Sequence, residues 1–237
     1  EMTSSLVGSE MCIRDRGITL TSKQLEQFEN YYQTLVEWNQ KMNLTAITQK
    51  EDVYLKHFYD SLTISFDYAL SNQSLCDVGA GAGFPSIPLK IVYPELKVTI
   101  VDSLSKRITF LKHLIQVLDL KDVDAISARA EEYAKNHRES FDIVTARAVA
   151  RLNILDELCL PLVKVDGDFI TLKGLKAQEE LQEAMQGIEK LGGKVMRQES
   201  FTLTDENDHR CNIYIHKVKN TPSKYPRDFS RIKKKPL

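Results

Sequence analysis

No apolar run in this 237-residue chain approaches the roughly 18 residues that span a bilayer, and no basic start with an apolar stretch behind it marks an export leader. Cysteine is scarce as well. Cys12, Cys76, Cys159 and Cys211 lie far apart and form no CxxC pair. That pattern argues against a zinc site or a disulfide frame and fits reduced thiols in a cytoplasmic protein with neither metal nor membrane attachment. Cys76, Cys159 and Cys211 sit in or beside apolar runs and read as core residues. A hydrophobic share of 42% with 27% charged residues suits one α/β domain with an appended segment.

An excess of either charge is nearly absent overall, with a net −1, but the charges are unevenly distributed. From Lys217 onward stand Lys217, Lys219, Lys224, Arg227, Arg231, Lys233, Lys234 and Lys235 against the single acid Asp228, so this segment is +7 and the preceding body −8. A basic tail on an acidic body reads equally well as a handle for a polyanion or as a solvated, disordered end.

Residues 1–16 (EMTSSLVGSEMCIRDR) show no periodicity, resemble translated adapter read-through, and are set outside the fold together with Cys12. Residues 17–70 predict a helical cap. Thr21 or Ser22 starts a helix carrying Leu25, Phe28, Tyr32, Leu35 and Trp38, and a second helix runs from about Glu51 to Leu70 with Val53, Leu55, Phe58, Leu62 and Ile64 inward. From 71 to 219 short apolar runs alternate with helical stretches. The expected strands are Leu75–Val78, Val98–Val101, Val123–Ile126, Phe141–Val144, Phe169–Leu172 and Ile213–Val218. The expected helices are roughly Pro85–Val92, Lys106–Leu118, Ala130–His137, Ile154–Val163 and Ala177–Leu191, and 220–237 form the basic tail. This alternation predicts an α/β, Rossmann-like, mostly parallel, doubly wound sheet, whose ligand sites lie beyond the strands' carboxyl ends.

The first strand-to-helix turn carries the strongest signal. Asp77-Val78-Gly79-Ala80-Gly81-Ala82-Gly83-Phe84-Pro85 places three glycines at alternate positions, where positive φ and close ligand approach are both allowed. Phe84 fills the sixth position of a dinucleotide fingerprint, which requires a small residue, so an NAD oxidoreductase ranks last. The pattern Asp77-x-Gly79-x-Gly81-x-Gly83 instead resembles the first motif of Rossmann-like methyltransferases, and S-adenosyl-L-methionine is the expected cofactor. Asp102 ends the second strand, 23 residues after Gly79, where a carboxylate accepts the hydroxyls of an adenosine ribose. Ala130 and Glu131 follow the third strand; read locally, Glu131 is simply an acid at a helix start.

Further segments make the resemblance specific: Trp38 to Thr45 (WNQKMNLT), Lys56 to Leu62 (KHFYDSL), Asp77 to Lys90, Asp102 to Arg107, Thr145 to Arg151 (TARAVAR) and Asn220 to Arg227. Over Gly17 to Arg227 the chain resembles the bacterial small-subunit rRNA guanine-N7 methyltransferases, the glucose-inhibited division protein B family. The resemblance implies transfer of a methyl group from S-adenosyl-L-methionine to 16S rRNA, free or in the small ribosomal subunit. It also implies cofactor contacts at Gly79, Phe84, Ala130, Glu131 and Arg147, and substrate handling or catalysis by Arg147 and Arg210. Local sequence alone reads Arg210 as a solvent-facing charge.

Guanine N7 offers a lone pair and holds no proton, so its methylation requires positioning and no general base. Guanidinium groups suit that task by donating to guanine O6 or clamping a phosphate. His57 reads as structural, and Asn39 and Asn43 as caps or RNA contacts with equal weight. Two rivals stand beside this reading: a small-molecule methyltransferase closed by the helical cap, and a non-catalytic RNA-binding or assembly protein retaining a relic pocket.

Overall fold

The computed structural model describes residues 16–203 and 208–237, so Cys12 and nearly all of the segment 1–16 lie outside the described residues. The first helix, α1 (Ser22–Met42), starts at Thr21 through a capping box with Gln24. Phe28, Tyr31 and Leu35 form its buried stripe, while Tyr32 and Trp38 pack at the margin. Asn43 closes the helix in the left-handed conformation at φ 49°, its N–H donating to the Asn39 carbonyl.

The expected single helix from 51 to 70 is shorter and irregular. It runs as α2 (Lys50–Val53), a wide π turn (Tyr54–Tyr59), α3 (Asp60–Leu62) and a 3-10 turn (Thr63–Phe66). Hydroxyls explain the irregularity. Ser61 donates to the His57 carbonyl, Thr63 to that of Asp60 and Ser65 to that of Leu62, which competes with regular helical bonding.

The sheet contains β1 (Ser74–Val78), β2 (Lys97–Asp102), β3 (Val123–Ser127), β4 (Phe141–Arg147), β5 (Val163–Lys173), β6 (Gly193–Thr202) and β7 (His209–Lys217), in the order β3-β2-β1-β4-β5-β7-β6. The first five strands are parallel; β7 runs antiparallel to both β5 and β6. Strand order reverses between β1 and β4, which is where an open α/β sheet opens a ligand crevice. Intervening helices are α4 (Ser86–Val92), α5 (Ser105–Val117), α6 (Ala130–Asn136), α7 (Leu152–Cys159) and α8 (Ala177–Lys190). The predicted fourth helix ends early, because Leu160–Leu162 tighten to a 3-10 turn and Val163 already begins β5. The edge strand β6 was not anticipated; its residues alternate polar and half-buried, without an apolar run.

Successive strand residues face opposite cores. Leu75 and Ile143 join α1, α4, α5 and the cap on one face, while Cys76 and Val144 join α7 and α8 on the other. Cys76, Cys159 and Cys211 are free and buried, as their apolar setting implied.

The basic tail is not a disordered end. Lys217 is fully buried, donating to the Leu160 and Val163 carbonyls at 2.6 and 3.1 Å, and burial lowers its pKa to about 8. Arg138 binds the carbonyls of Thr221 and Tyr225. Arg227 forms a paired bond with the wholly buried Glu157, Nη2 to Oε2 at 2.6 Å and Nε to Oε1 at 2.9 Å. A last helix, α9 (Phe229–Lys234), then inserts Ile232 into the second core. The basic groups left exposed are Lys219, Lys224, Arg231, Lys233, Lys234 and Lys235.

Candidate active site

The glycine loop is held from beneath and from the cap. The Gly79 N–H donates to the Val101 carbonyl at 2.8 Å, and buried Asp77 accepts from the Ser86 N–H at 3.1 Å, fixing the start of α4. Burial raises the Asp77 pKa to about 7. From α1, the Tyr31 hydroxyl donates to the Ala82 carbonyl at 2.6 Å. The three glycines all have positive φ but serve different purposes. A Cβ on Gly79 would meet Val149 at 2.7 Å, and one on Gly83 would meet Tyr31 and Ile87 at 2.7 and 2.8 Å. On Gly81 it would meet nothing within 4 Å. Gly83 is therefore a packing position against the cap, and Gly81 faces open space.

Beside that open space lies a cleft of about 340 Å³ whose lining includes Gly79, Asp102, Ala130, Glu131, Val149 and Phe229. Asp102 accepts from the Gly81 and Leu104 N–H groups at 3.2 and 2.9 Å, with Arg107 Nη1 at 3.3 Å. A buried carboxylate at a strand's end, a glycine with room above it and a partly apolar wall fit an adenosine with a short tail. They offer no cradle of several N–H groups such as a pyrophosphate requires.

A second cleft of about 520 Å³ opens on the other side of Ala148 and Val149, which line both. Ala148 holds φ 55°, a left-handed conformation that non-glycine residues adopt at a cost, in the turn leaving β4. Lys173, paired with Glu180 at 2.8 Å, fixes this turn by donating to the Ala150 carbonyl at 2.6 Å. Inside the cleft, buried Asp60 joins two arginines, with Arg147 Nη1 at 2.9 Å on Oδ2 and Arg210 Nε at 3.3 Å on Oδ1. Burial raises the Asp60 pKa, and the two guanidinium groups oppose that rise. Asp208 and the His209 carbonyl hold the far side of Arg210.

His57 completes the cluster. Its ring stacks on Phe84 at 4.5 Å, Nδ1 lies 3.3 Å from Arg147 Nη2, and Nε2 lies 2.9 Å from the Thr45 hydroxyl. Burial, reinforced by Arg147, lowers its pKa to about 4, so the ring is neutral near pH 7. Thr45 is itself placed by its N–H on the Asn39 side chain at 2.9 Å, which gives Asn39 a structural task.

The residues singled out from sequence thus fall into three groups. Gly79, Asp102, Ala130 and Glu131 share the first cleft, with Gly81 bonded to Asp102. Arg147 and Arg210 share the second. Asp77, Gly83 and Phe84 lie behind both, with Phe84 buried between Tyr31 and His57 and under the Arg147 guanidinium at 4.9 Å. Sequence reasoning missed Asp60, although it lies in the KHFYDSL segment, and Phe229, hidden among the tail's lysines. Among the described residues no group of His, Cys, Asp and Glu is arranged to hold a metal ion, and no helix is long and apolar enough to cross a membrane.

Comparison with known proteins adds an independent line. The sequence profile of the GidB family, described as rRNA small subunit methyltransferase G, matches residues 24–211. The Bacillus cytotoxicus protein named ribosomal RNA small subunit methyltransferase G is 58% identical over 226 residues, which cover 94% of this chain and 95% of that protein. A Bacillus cereus (strain B4264) protein of the same name is 58% identical over 228 residues, 95% of each. Among solved structures, M. jannaschii TYW2 in complex with AdoMet superposes with a TM-score of 0.56 at 18% identity, covering 73% of this chain and 80% of that one. Precorrin-6y C5,15-methyltransferase from Geobacter metallireducens gives 0.51 at 16%, covering 67% and 86%. At such identities the shared feature is the fold.

Proposed function

The chain belongs to the GidB family of rRNA small subunit methyltransferases G, and on that premise we propose that it transfers a methyl group from S-adenosylmethionine to N7 of a guanine in 16S rRNA. The observation that carries this reading is the pair of clefts meeting at Ala148 and Val149, one built around Asp102 and the other around two arginines on one carboxylate. Asp102, Gly79, Gly81, Ala130 and Glu131 hold the cofactor's adenosine, while Asp77, Gly83 and Phe84 keep the loop in shape.

The cofactor, when bound, supplies an electrophilic methyl carbon. The chain's own residues bring a nucleophile to it. N7 carries no proton, and among the described residues the cleft's candidate bases are engaged: His57 is neutral and bonded at both ring nitrogens, Asp60 faces two cations, and Glu180 is paired with Lys173. Each guanidinium has five N–H donors, of which Asp60, His57 and the Lys56 carbonyl engage part of Arg147's, and Asp60, Asp208 and the His209 carbonyl part of Arg210's. Those left free bind guanine O6 or an adjoining phosphate, leaving N7 open. Orientation of this kind can supply about 7–11 kcal/mol of the barrier reduction. Methylated guanine is a cation, and Asp60 offsets its repulsion by Arg147 and Arg210. Exposed Lys219, Lys224, Arg231, Lys233, Lys234 and Lys235 add phosphate contacts. A ribosomal substrate places the protein in the cytoplasm.

The test is incubation with S-adenosylmethionine labelled in its methyl group and small-subunit RNA from cells lacking this gene, beside a pool of small metabolites. Label entering RNA is the expected result. Label entering only the metabolite pool would overturn the substrate class and favour the small-molecule rival.

A further inference from the structure

The last helix of the chain lies beyond the seventh strand, where a seven-stranded α/β sheet is already complete. Yet its first residue, Phe229, lines the cleft around Asp102. The segment leading to it is held at several points: Tyr225 is buried, Arg227 is bonded to buried Glu157, and Ile232 anchors the following turn. Phe229 is half-buried, and the Arg129 guanidinium, from the residue preceding α6, lies 5.9 Å from its ring centre. An aromatic ring held in the lining of a cleft that also includes Leu158, Val149 and Arg129 is a group on which a purine base can stack in place of, or beside, that guanidinium.

We propose that the carboxyl-terminal tail is part of the cofactor site, with Phe229 an adenine-binding wall. This rests on the proposal that S-adenosylmethionine occupies the Asp102 cleft. The tail then has two duties that its charge conceals: the lysines face outward to phosphates while the aromatic faces inward to the cofactor. Deleting 224–237 would remove both together, so loss of activity in that truncation does not identify RNA as the ligand of the tail.

The test is calorimetric titration of the full chain with S-adenosylmethionine and with 5′-methylthioadenosine, which keeps the adenosine and lacks the amino-acid end. Phe229→Leu keeps apolar volume without a π face; Phe229→Tyr keeps the face. Base–aromatic stacking predicts that Phe229→Leu weakens both ligands at least about fivefold, with Phe229→Tyr within about twofold of the unaltered chain. A Phe229→Trp chain should change its indole emission on adding either ligand, beyond any change from Trp38 in the unaltered chain. Leu and Tyr variants that both bind within twofold of the unaltered chain would overturn the proposal. So would equal losses in the two that merely track a lower melting temperature. If the unaltered chain binds neither ligand, the cofactor reading fails and this proposal with it.

Discussion

Gly81 and Gly83 are two residues apart in one loop, yet alanine should affect them in opposite ways. At Gly81, φ is 61° and an added Cβ meets nothing within 4 Å, so the cost to folding is that of a left-handed L residue, about 1–2 kcal/mol. For a chain of this length that lowers Tm by roughly 2–8 °C. At Gly83, φ is 101° and the Cβ would meet Tyr31 Oη at 2.7 Å, Ile87 at 2.8 Å and Leu111 at 3.2 Å. Overpacking of about 1–3 kcal/mol adds to the backbone cost, and Tyr31 loses its seat on the loop. Thermal melts and S-adenosylmethionine titrations of both variants separate the effects. Gly81→Ala should lose no more than those roughly 2–8 °C but bind the cofactor at least tenfold more weakly, because its methyl enters the ligand's space. Gly83→Ala should melt markedly lower. A Gly81→Ala chain that binds normally would refute the assignment of that open space to the cofactor.

Asp60→Asn removes the only negative charge that bridges Arg147 and Arg210 in the described structure. Breaking a buried pair costs about 3–5 kcal/mol, and the partial exposure of Arg210 argues for the lower end, or a fall in Tm of roughly 6–12 °C. A chemical denaturation midpoint unchanged from the unaltered chain would contradict this. Asp156, buried with Oδ2 unbonded among the described residues, has its pKa raised to about 8 by burial. The folded chain therefore keeps a proton that the unfolded chain releases above pH ~4, and stability falls as pH rises from there towards 8. Melts of Asp156→Asn against the unaltered chain should diverge in the variant's favour between pH 5 and 8; parallel curves would sink this reading. Replacing Lys233, Lys234 and Lys235 by Glu should weaken RNA binding and flatten its salt dependence while leaving S-adenosylmethionine affinity within twofold, whereas an unaltered salt slope would remove these lysines from the RNA interface.

The inner parallel strands were legible because burial on both faces writes them as apolar runs. Strand β6 was not, since an edge strand with one wet face spreads its few apolar residues among Lys194, Arg197 and Glu199. The glycine loop was legible as a loop, but which glycine meets protein and which meets space depends on where Tyr31 and Val149 dock, and no spacing encodes that. Arg210 needed the family resemblance for the same reason: the β6–β7 hairpin brings it to Asp60, 150 residues earlier. The tail was left open by its composition between a polyanion handle and a disordered end, and composition could not show how it is anchored. Its charges read as solvent-facing, while Tyr225, Phe229 and Ile232 between them fix it to the body.

The most direct test of the chemistry is the identity of the methylated base. Small-subunit RNA methylated by the purified chain would be digested to nucleosides and separated by mass and retention, with Arg147→Ala and Arg210→Ala beside it. Two arginines that orient a guanine, with no proton acceptor left free among the described residues of the cleft, predict 7-methylguanosine as the product and a large loss of it in both variants. Methyl on an exocyclic amine or a ring carbon, each of which must shed a proton, would contradict it.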